Sequence, residues 1–199
     1  MPNSRSQPPR TKSVPPLRLL GATFRRIVDA LDGGQVPYVV IGALAVRAYL
    51  PDRATKDIDL LVSLAEIERV IALAGDDFEH EGTRQWGVHV LRDRRTGIEV
   101  HVRAAREKSD RQALESAITI RLFSRRVRIP APEYLVVMKL TSMRGQRKHW
   151  EDVIALVQAD CIDARFVIAH LVRQHPGLVD LFIELVTEAT PKARARTQN

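Results

Sequence analysis

Asp57 and Asp59 stand two residues apart in the run Arg53-Ala54-Thr55-Lys56-Asp57-Ile58-Asp59-Leu60-Leu61-Val62. On an extended segment, residues two apart share a face, so both carboxylates project to the same side. Like charges that close repel, and a divalent cation between them removes the repulsion. The apolar residues that follow place the pair at the mouth of a buried strand. A carboxylate pair in that setting reads as a Mg2+ site, and Mg2+ is commonly held by one or two carboxylates together with substrate phosphates.

The pair alone is weak evidence, because thirteen aspartates in 199 residues supply about one Asp-x-Asp by chance. Its surroundings strengthen it. A glycine turn, Gly42-Ala43, follows the apolar run Tyr38-Val39-Val40-Ile41 and precedes the pair by one short helix. Arg53 and Thr55 lie just upstream: Arg53 reads as a phosphate partner or a solvated loop charge, Thr55 as a hydrogen-bond donor to the loop backbone. Glu99 sits inside Ile98-Glu99-Val100-His101-Val102, where a buried charge needs a partner. If the two strands are neighbours, Glu99 completes a three-carboxylate cup with Asp57 and Asp59 around one or two Mg2+ ions. Such a cup would activate an attacking hydroxyl and clamp a triphosphate in line with it. Glu99 would serve as a ligand or help deprotonate the nucleophile. The plainer readings are a helix-cap or turn pair for the aspartates and, for Glu99, an exposed face of an edge strand or an arginine salt bridge. His101 shares parity with Glu99 and faces the same side. His80, His89 and His101 lack the spacing of a zinc site.

Lys139 is a charge inside the apolar helical run Tyr134-Leu135-Val136-Val137-Met138-Lys139-Leu140. It either snorkels to solvent or reaches a triphosphate, and the basic segment with Arg144, Arg147 and Lys148 favours the second. Asp152 follows Lys148 by four residues, the spacing of an ordinary helical ion pair.

These residues need elements to position them. A helix is predicted over about 17–31, with Leu20, Phe24, Ile27, Val28 and Leu31 on one face and Gly33-Gly34 at its end. Strands follow at 38–41 and 58–62, separated by a helix over 43–50. Ser63-Leu64-Ala65-Glu66 reads as a capping box opening a helix to about Leu73. Two strands, 87–91 and 98–102, flank the turn Asp93-Arg94-Arg95-Thr96-Gly97 as an antiparallel hairpin. A polar helix near 106–118, a short strand pair at 118–123 and 127–129, a helix over 133–143 opened by Pro132, and helices near 150–158, 164–174 and 178–189 complete the order. The fold class is α/β, a small mixed sheet flanked by helices with a helical C-terminal part. The expected organisation is a Pro-rich basic tail over 1–16, a core over 17–130, C-terminal helices over 131–190 and a basic tail over 191–199.

Net charge is +7 and the sequence pI about 10.1, which favours polyanionic partners such as tRNA, other RNA or nucleoside triphosphates. Aromatic residues make up 5% of the chain and do not interleave with the basic ones along the sequence. No apolar run approaches the length of a membrane span. The single Cys161 excludes an internal disulfide framework and fits a reducing, cytoplasmic compartment.

The string Gly42-Ala43-Leu44-Ala45-Val46, followed by Arg53-x-Thr55-x-Asp57-Ile58-Asp59-Leu60, resembles the nucleotidyltransferase superfamily related to DNA polymerase beta. It is most similar to the compact bacterial branch that includes the AbiEii-type abortive-infection toxins. The resemblance covers about residues 17–156. It implies that Gly42 faces the triphosphate, that Asp57 and Asp59 bind metal, and that Glu99 is the third acidic residue. Lys139, Arg144, Lys148 and Asp152 resemble that branch's Lys-x-x-x-(few)-Arg-x-x-Lys-x-x-x-Asp helix. The superfamily commonly has Gly-Ser or Gly-Gly at the turn. Ala43 has no hydroxyl, so phosphate contact there falls to backbone N–H groups. The expected function is Mg2+-dependent transfer of a nucleoside monophosphate from an NTP to a hydroxyl or phosphate acceptor. The basic charge points to tRNA or another RNA as that acceptor, with a protein hydroxyl or a small molecule such as an aminoglycoside left open, and the resemblance points to a toxin with a cognate antitoxin. A catalytically silent member that binds nucleotide, RNA or a protein partner is the alternative, and Ala43 is its main support.

Overall fold

The computed structural model describes residues 14–142 and 147–190, without the side chains of Arg147 and Lys148. Most of the expected tail segments, 1–13 and 191–199, and Arg144 lie outside the described residues, as does the Lys148 side chain.

Helix α1 (Leu17–Gly33) buries Leu20, Phe24, Ile27, Val28 and Leu31, the face its spacing predicts. Strand β1 (Tyr38–Ile41), the short helix α2 (Gly42–Val46) and strand β2 (Ile58–Ser63) follow. Helix α3 (Ile67–Ala74) leads to β3 (Phe78–Arg84), β4 (Val88–Asp93) and β5 (Glu99–Ala105). After α4 (Lys108–Glu115), β6 (Ile118–Leu122) and β7 (Arg125–Ile129) pair as a separate two-stranded sheet. Helices α5 (Pro132–Thr141), α6 (Arg147–Gln158), α7 (Ala164–Gln174) and α8 (Val179–Ala189) complete the chain.

The main sheet is mixed, in the order β1-β2-β5-β4-β3. Only β2 and β5 run parallel; the other neighbours are antiparallel. Alternation divides the central strands between two faces. Val40, Leu60, Val62, Val100 and Val102 join Phe24, Ile27 and Val70 in the larger core, which extends to Leu156, Leu171 and Phe182 of the C-terminal helices. Val39, Ile41, Leu61 and Ala105 pack with Ala113 of α4 and Met138 of α5 in a smaller core. Asp59, His101 and Arg103 share the parity of this second face, so α5 lies against the face that carries the carboxylates.

Three expectations change. Strand β3 was not foreseen: Phe78-Glu79-His80-Glu81-Gly82-Thr83-Arg84 has one buried apolar residue, a bulge between His80 and Gly82, and an edge position. An edge strand is held by ladder hydrogen bonds and needs no apolar alternation. Helix α2 ends at Val46 and continues only as turns. Ser63 makes no capping hydrogen bond, and Leu64–Glu66 forms a 3-10 turn ahead of α3; the reciprocal capping box lies instead at Glu107 and Asp110, opening α4.

Candidate active site

The chain reverses at Gly42 with φ +69°, a conformation that costs a residue with a side chain about 1–2 kcal/mol. A Cβ on Gly42 would lie 2.7 Å from Asp59 Cγ and closer still to Oδ2. Glycine therefore sets the turn and leaves room for the carboxylate beside it. The register pairs Ile41 with Asp59 across β1–β2 and Asp59 with His101 across β2–β5. Parity and pairing together bring the end of β1, the start of β2 and the middle of β5 to one place.

A cleft of about 300 Å3 opens there, a volume at the low end for small-ligand sites. Gly42, Ala43, Arg53, Asp57, Asp59 and Lys139 all line it. These are six of the ten residues selected from sequence, drawn from three separate segments of the chain. Thr55 is buried behind the cleft and donates to the Asp57 carbonyl at 2.9 Å, shaping the approach to the carboxylates.

The cations on the far wall are fixed by one buried acid. Asp152, 2% exposed, accepts from Lys139 Nζ at 2.7 Å, from Arg53 Nε, and from Arg53 Nη2 at 3.2 Å. The helical pair expected between Lys148 and Asp152 falls on a side chain outside the described residues; the contacts Asp152 makes with Lys139 and Arg53 join α6 to α5 and to the loop before β2. Burial alone would push the Asp152 carboxyl up, but the hydrogen bonds from Arg53 and Lys139 hold it below the usual carboxylate range. Lys139 neither snorkels nor stands alone: at 7% exposure it is a buried ammonium with a buried counterion.

Glu99 does not line the cleft; His101 does. The Glu99 carboxylate is 7% exposed and accepts from Arg92 Nη2 at 2.8 Å and Arg84 Nη1 at 3.2 Å. The His101 ring spans the gap between acids, with Nε2 3.1 Å from Glu99 Oε2 and Nδ1 3.1 Å from Asp59 Oδ1. Asp57 Oδ2 lies 3.8 Å from the same Nδ1. Burial opposes a charge on His101, yet Asp59, Glu99 and Asp57 outweigh it and raise its pKa above the ordinary histidine value. A ring with carboxylates at both nitrogens is a proton holder that orients Asp59. In place of the expected three-carboxylate cup, the structure has a pair, Asp57 and Asp59, backed by the chain His101–Glu99–Arg92. Among the described residues, no set of three or more His, Cys, Asp or Glu is arranged to hold a metal ion. The pair alone has the donors Mg2+ takes from a protein when substrate phosphates and water complete its shell.

Sequence reasoning did not select His149, Arg103 and Ser142, which also line the cleft. Arg103 carried a signal, since it continues the Glu99–His101 parity along β5. His149 and Ser142 carried none.

No protein-family model matches the chain, and no curated protein does. Solved structures do. The crystal structure of ANT(2'')-Ia in complex with adenylyl-2''-tobramycin aligns with a TM-score of 0.54 at 15% identity, over 86% of this chain and 99% of that one. A solution structure of the same antibiotic-resistance factor gives 0.52 at 14% identity, over 86% and 92%. A nucleotidyltransferase-type protein from Thermotoga maritima gives 0.50 at 16% identity, over 62% and 84%. At these identities the likeness establishes the fold: the chain has the nucleotidyltransferase fold. The particular similarity to abortive-infection toxins rests on the sequence motifs alone. Among the described residues, no helix is long and apolar enough to cross a membrane.

Proposed function

We propose that the chain is a Mg2+-dependent nucleotidyltransferase that moves a nucleoside monophosphate from an NTP to an acceptor and releases pyrophosphate. The observation that carries this reading is the meeting of Asp57 and Asp59 with Gly42, Arg53 and Lys139 around one cleft on a nucleotidyltransferase fold. Asp57 and Asp59 would hold Mg2+, which when bound offsets phosphate charge and polarises the reacting phosphoryl group. Arg53 and Lys139, locked by Asp152, face the triphosphate and resist displacement when its charge develops. Gly42 and Ala43 present main chain where a side chain would block approach. In the transfer, the acceptor oxygen bonds to the α-phosphorus as the bond to the β-phosphate oxygen breaks. The acceptor proton passes to a carboxylate of the pair. His101 holds Asp59 in position, and Glu99 holds His101.

The cleft's other ionisable lining groups, Arg53, Arg103, Lys139, His101 and His149, are basic. That wall suits an anionic acceptor such as tRNA or another RNA better than a polycationic aminoglycoside. The toxin reading belongs to the same proposal: induced expression would arrest growth only with Asp59 intact, and a cognate antitoxin would relieve the arrest. Purified protein, Mg2+ and α-labelled NTPs test the whole. Label should enter RNA, and Asp57→Asn should abolish incorporation. Incorporation that survives loss of both aspartates would overturn the metal assignment. Tight nucleotide binding without transfer to any acceptor would favour the silent alternative, which Ala43 motivates.

A further inference from the structure

A second cleft, about 690 Å3 and open to solvent, lies on the same face of the sheet and is lined by Ser63, Leu64, Ala105, Arg106, Arg111 and Leu114. It lies next to the first along β5. Arg103 lines the catalytic cleft and Ala105 the second one, two residues further along β5 on the same side. From His101 to Ala105 the strand advances about 13 Å.

Three observations give this track a ligand preference. Its charges are cationic: no acidic residue lines the second cleft, while Arg106 and Arg111 both do and are exposed. Most other arginines on this side are matched with acids, Arg84 and Arg92 with Glu81 and Glu99, Arg94 with Glu79, Arg95 with Asp77. The exception is therefore local. Next, Arg103, which lines the first cleft, gives Nη2 to Asp110 at 2.7 Å but keeps a buried Nε with no hydrogen-bond partner. Last, Trp86 is 67% exposed on a backbone of φ +68°, rare for a bulky residue. The next residue, Gly87, also has positive φ, and a Cβ there would come within 2.5 Å of Arg106 Nη2. The β3–β4 turn thus brings Gly87 against the Arg106 guanidinium that lines the second cleft and leaves the neighbouring Trp86 exposed.

We propose that Trp86, Arg103, Arg106 and Arg111 form a binding track for a single-stranded nucleic acid acceptor. Its bases stack on Trp86, its phosphates meet the arginines, and its reactive end reaches the Asp57/Asp59 cleft. An indole face suits any base, and guanidinium groups suit phosphate. The inference rests on the transfer reading only for what happens at that end; the binding it describes requires no catalysis.

The test uses the full chain carrying Trp150→Phe, so that Trp86 is the only tryptophan. A short single-stranded oligoribonucleotide is added without NTP or Mg2+, and affinity is measured across salt concentrations. Expected are quenching of Trp86 fluorescence on binding and about tenfold weaker binding for Trp86→Ala, measured with labelled RNA. The double substitution Arg106→Ala and Arg111→Ala should flatten the slope of log affinity against log salt by about 1.4. Arg126→Ala, an exposed cation on the two-stranded sheet, should leave that slope unchanged. Absence of RNA binding at low salt, or binding and slope unaffected by the double substitution, overturns the track. So does polyglutamate that competes equally and quenches Trp86 equally, because that marks an acidic-protein surface. Asp57→Asn separates the two proposals: RNA binding that persists in a variant without transfer supports the track, whatever becomes of the catalytic reading.

Discussion

Gly42 and Asp59 are packed so tightly that the turn has no room for a single methyl group on its carboxylate side. The glycine is fixed by two independent demands, a positive φ and the adjacent acid. Gly42→Ala should therefore cost about 1–2 kcal/mol of stability from the backbone alone. It should also displace Asp59 and lower the transfer rate about a hundredfold, the scale of a 1 Å misplacement of a reacting group. Thermal unfolding and single-turnover kinetics measure the two effects separately. A Gly42→Ala protein as active as the parent would show that Asp59 does not work from its observed position.

Asp152 joins Lys139 and Arg53 across three segments, and it is the most buried of the three. Removing one partner of a buried ion pair leaves the other charge uncompensated, at about 3–5 kcal/mol. Arg53 is partly exposed and relaxes into solvent, so Asp152→Ala should destabilise by about 3 kcal/mol in urea titration. Loss of fixed cations on the phosphate wall should raise KM for NTP more than it lowers kcat. Asp152→Glu, which keeps the charge, should recover part of the affinity. An unchanged KM in Asp152→Ala would remove Arg53 and Lys139 from the nucleotide site.

Asp93 supplies the clearest pH dependence. It is fully buried at the end of β4 and accepts from Thr23 Oγ1 at 2.6 Å, from Arg26, and from the backbone N–H of Arg95 at 2.8 Å. Burial would raise its pKa, but the hydrogen bonds from Thr23, Arg26 and Arg95 prevail and lower it. In the unfolded chain the group titrates near the ordinary value of about 3.9. Its stabilisation is therefore complete above that value and is lost as pH falls through the lower folded pKa. The Tm of the parent should fall steeply below about pH 4. Asp93→Asn should begin with a lower Tm at neutral pH and fall less steeply in acid. Parallel Tm profiles for the two proteins would assign the acid transition to other carboxylates.

What was legible in the sequence follows from which forces act locally. The apolar spacing of α1, the β-branched run of β1 and the Asp-x-Asp at the mouth of β2 declare themselves within a few residues, and all appear where expected. Lys139 was conspicuous because a charge in an apolar helix needs a reason. Its partner was not legible: Asp152 lies four residues from Lys148, so the local pair was the natural reading, and only the packing of α6 on α5 brings Lys139 within reach. Glu99 was found for the right reason, a buried charge needing compensation. Its compensation comes from Arg84 and Arg92, on a strand and an edge whose pairing no local pattern revealed.

That arrangement gives Glu99 and Asp59 different jobs, and the difference is measurable. Asp59 lines the cleft, whereas Glu99 is held by two arginines and is linked to Asp59 through the His101 ring. If Asp57 and Asp59 hold the cation, either Asp57→Asn or Asp59→Asn should abolish Mn2+ binding, followed by electron paramagnetic resonance, together with transfer. Glu99→Gln keeps the side chain's size but removes the charge that holds His101. Outer partners of metal ligands typically contribute 10–100-fold in affinity or activity. Glu99→Gln should therefore lose activity on that scale while still binding Mn2+, and His101→Ala should match it. Glu99→Gln should add little to His101→Ala in the double variant, because both act through one contact. Loss of Mn2+ binding in Glu99→Gln as complete as in Asp59→Asn would make Glu99 a direct ligand. Its ties to Arg84 and Arg92 would then have to break when the metal arrives.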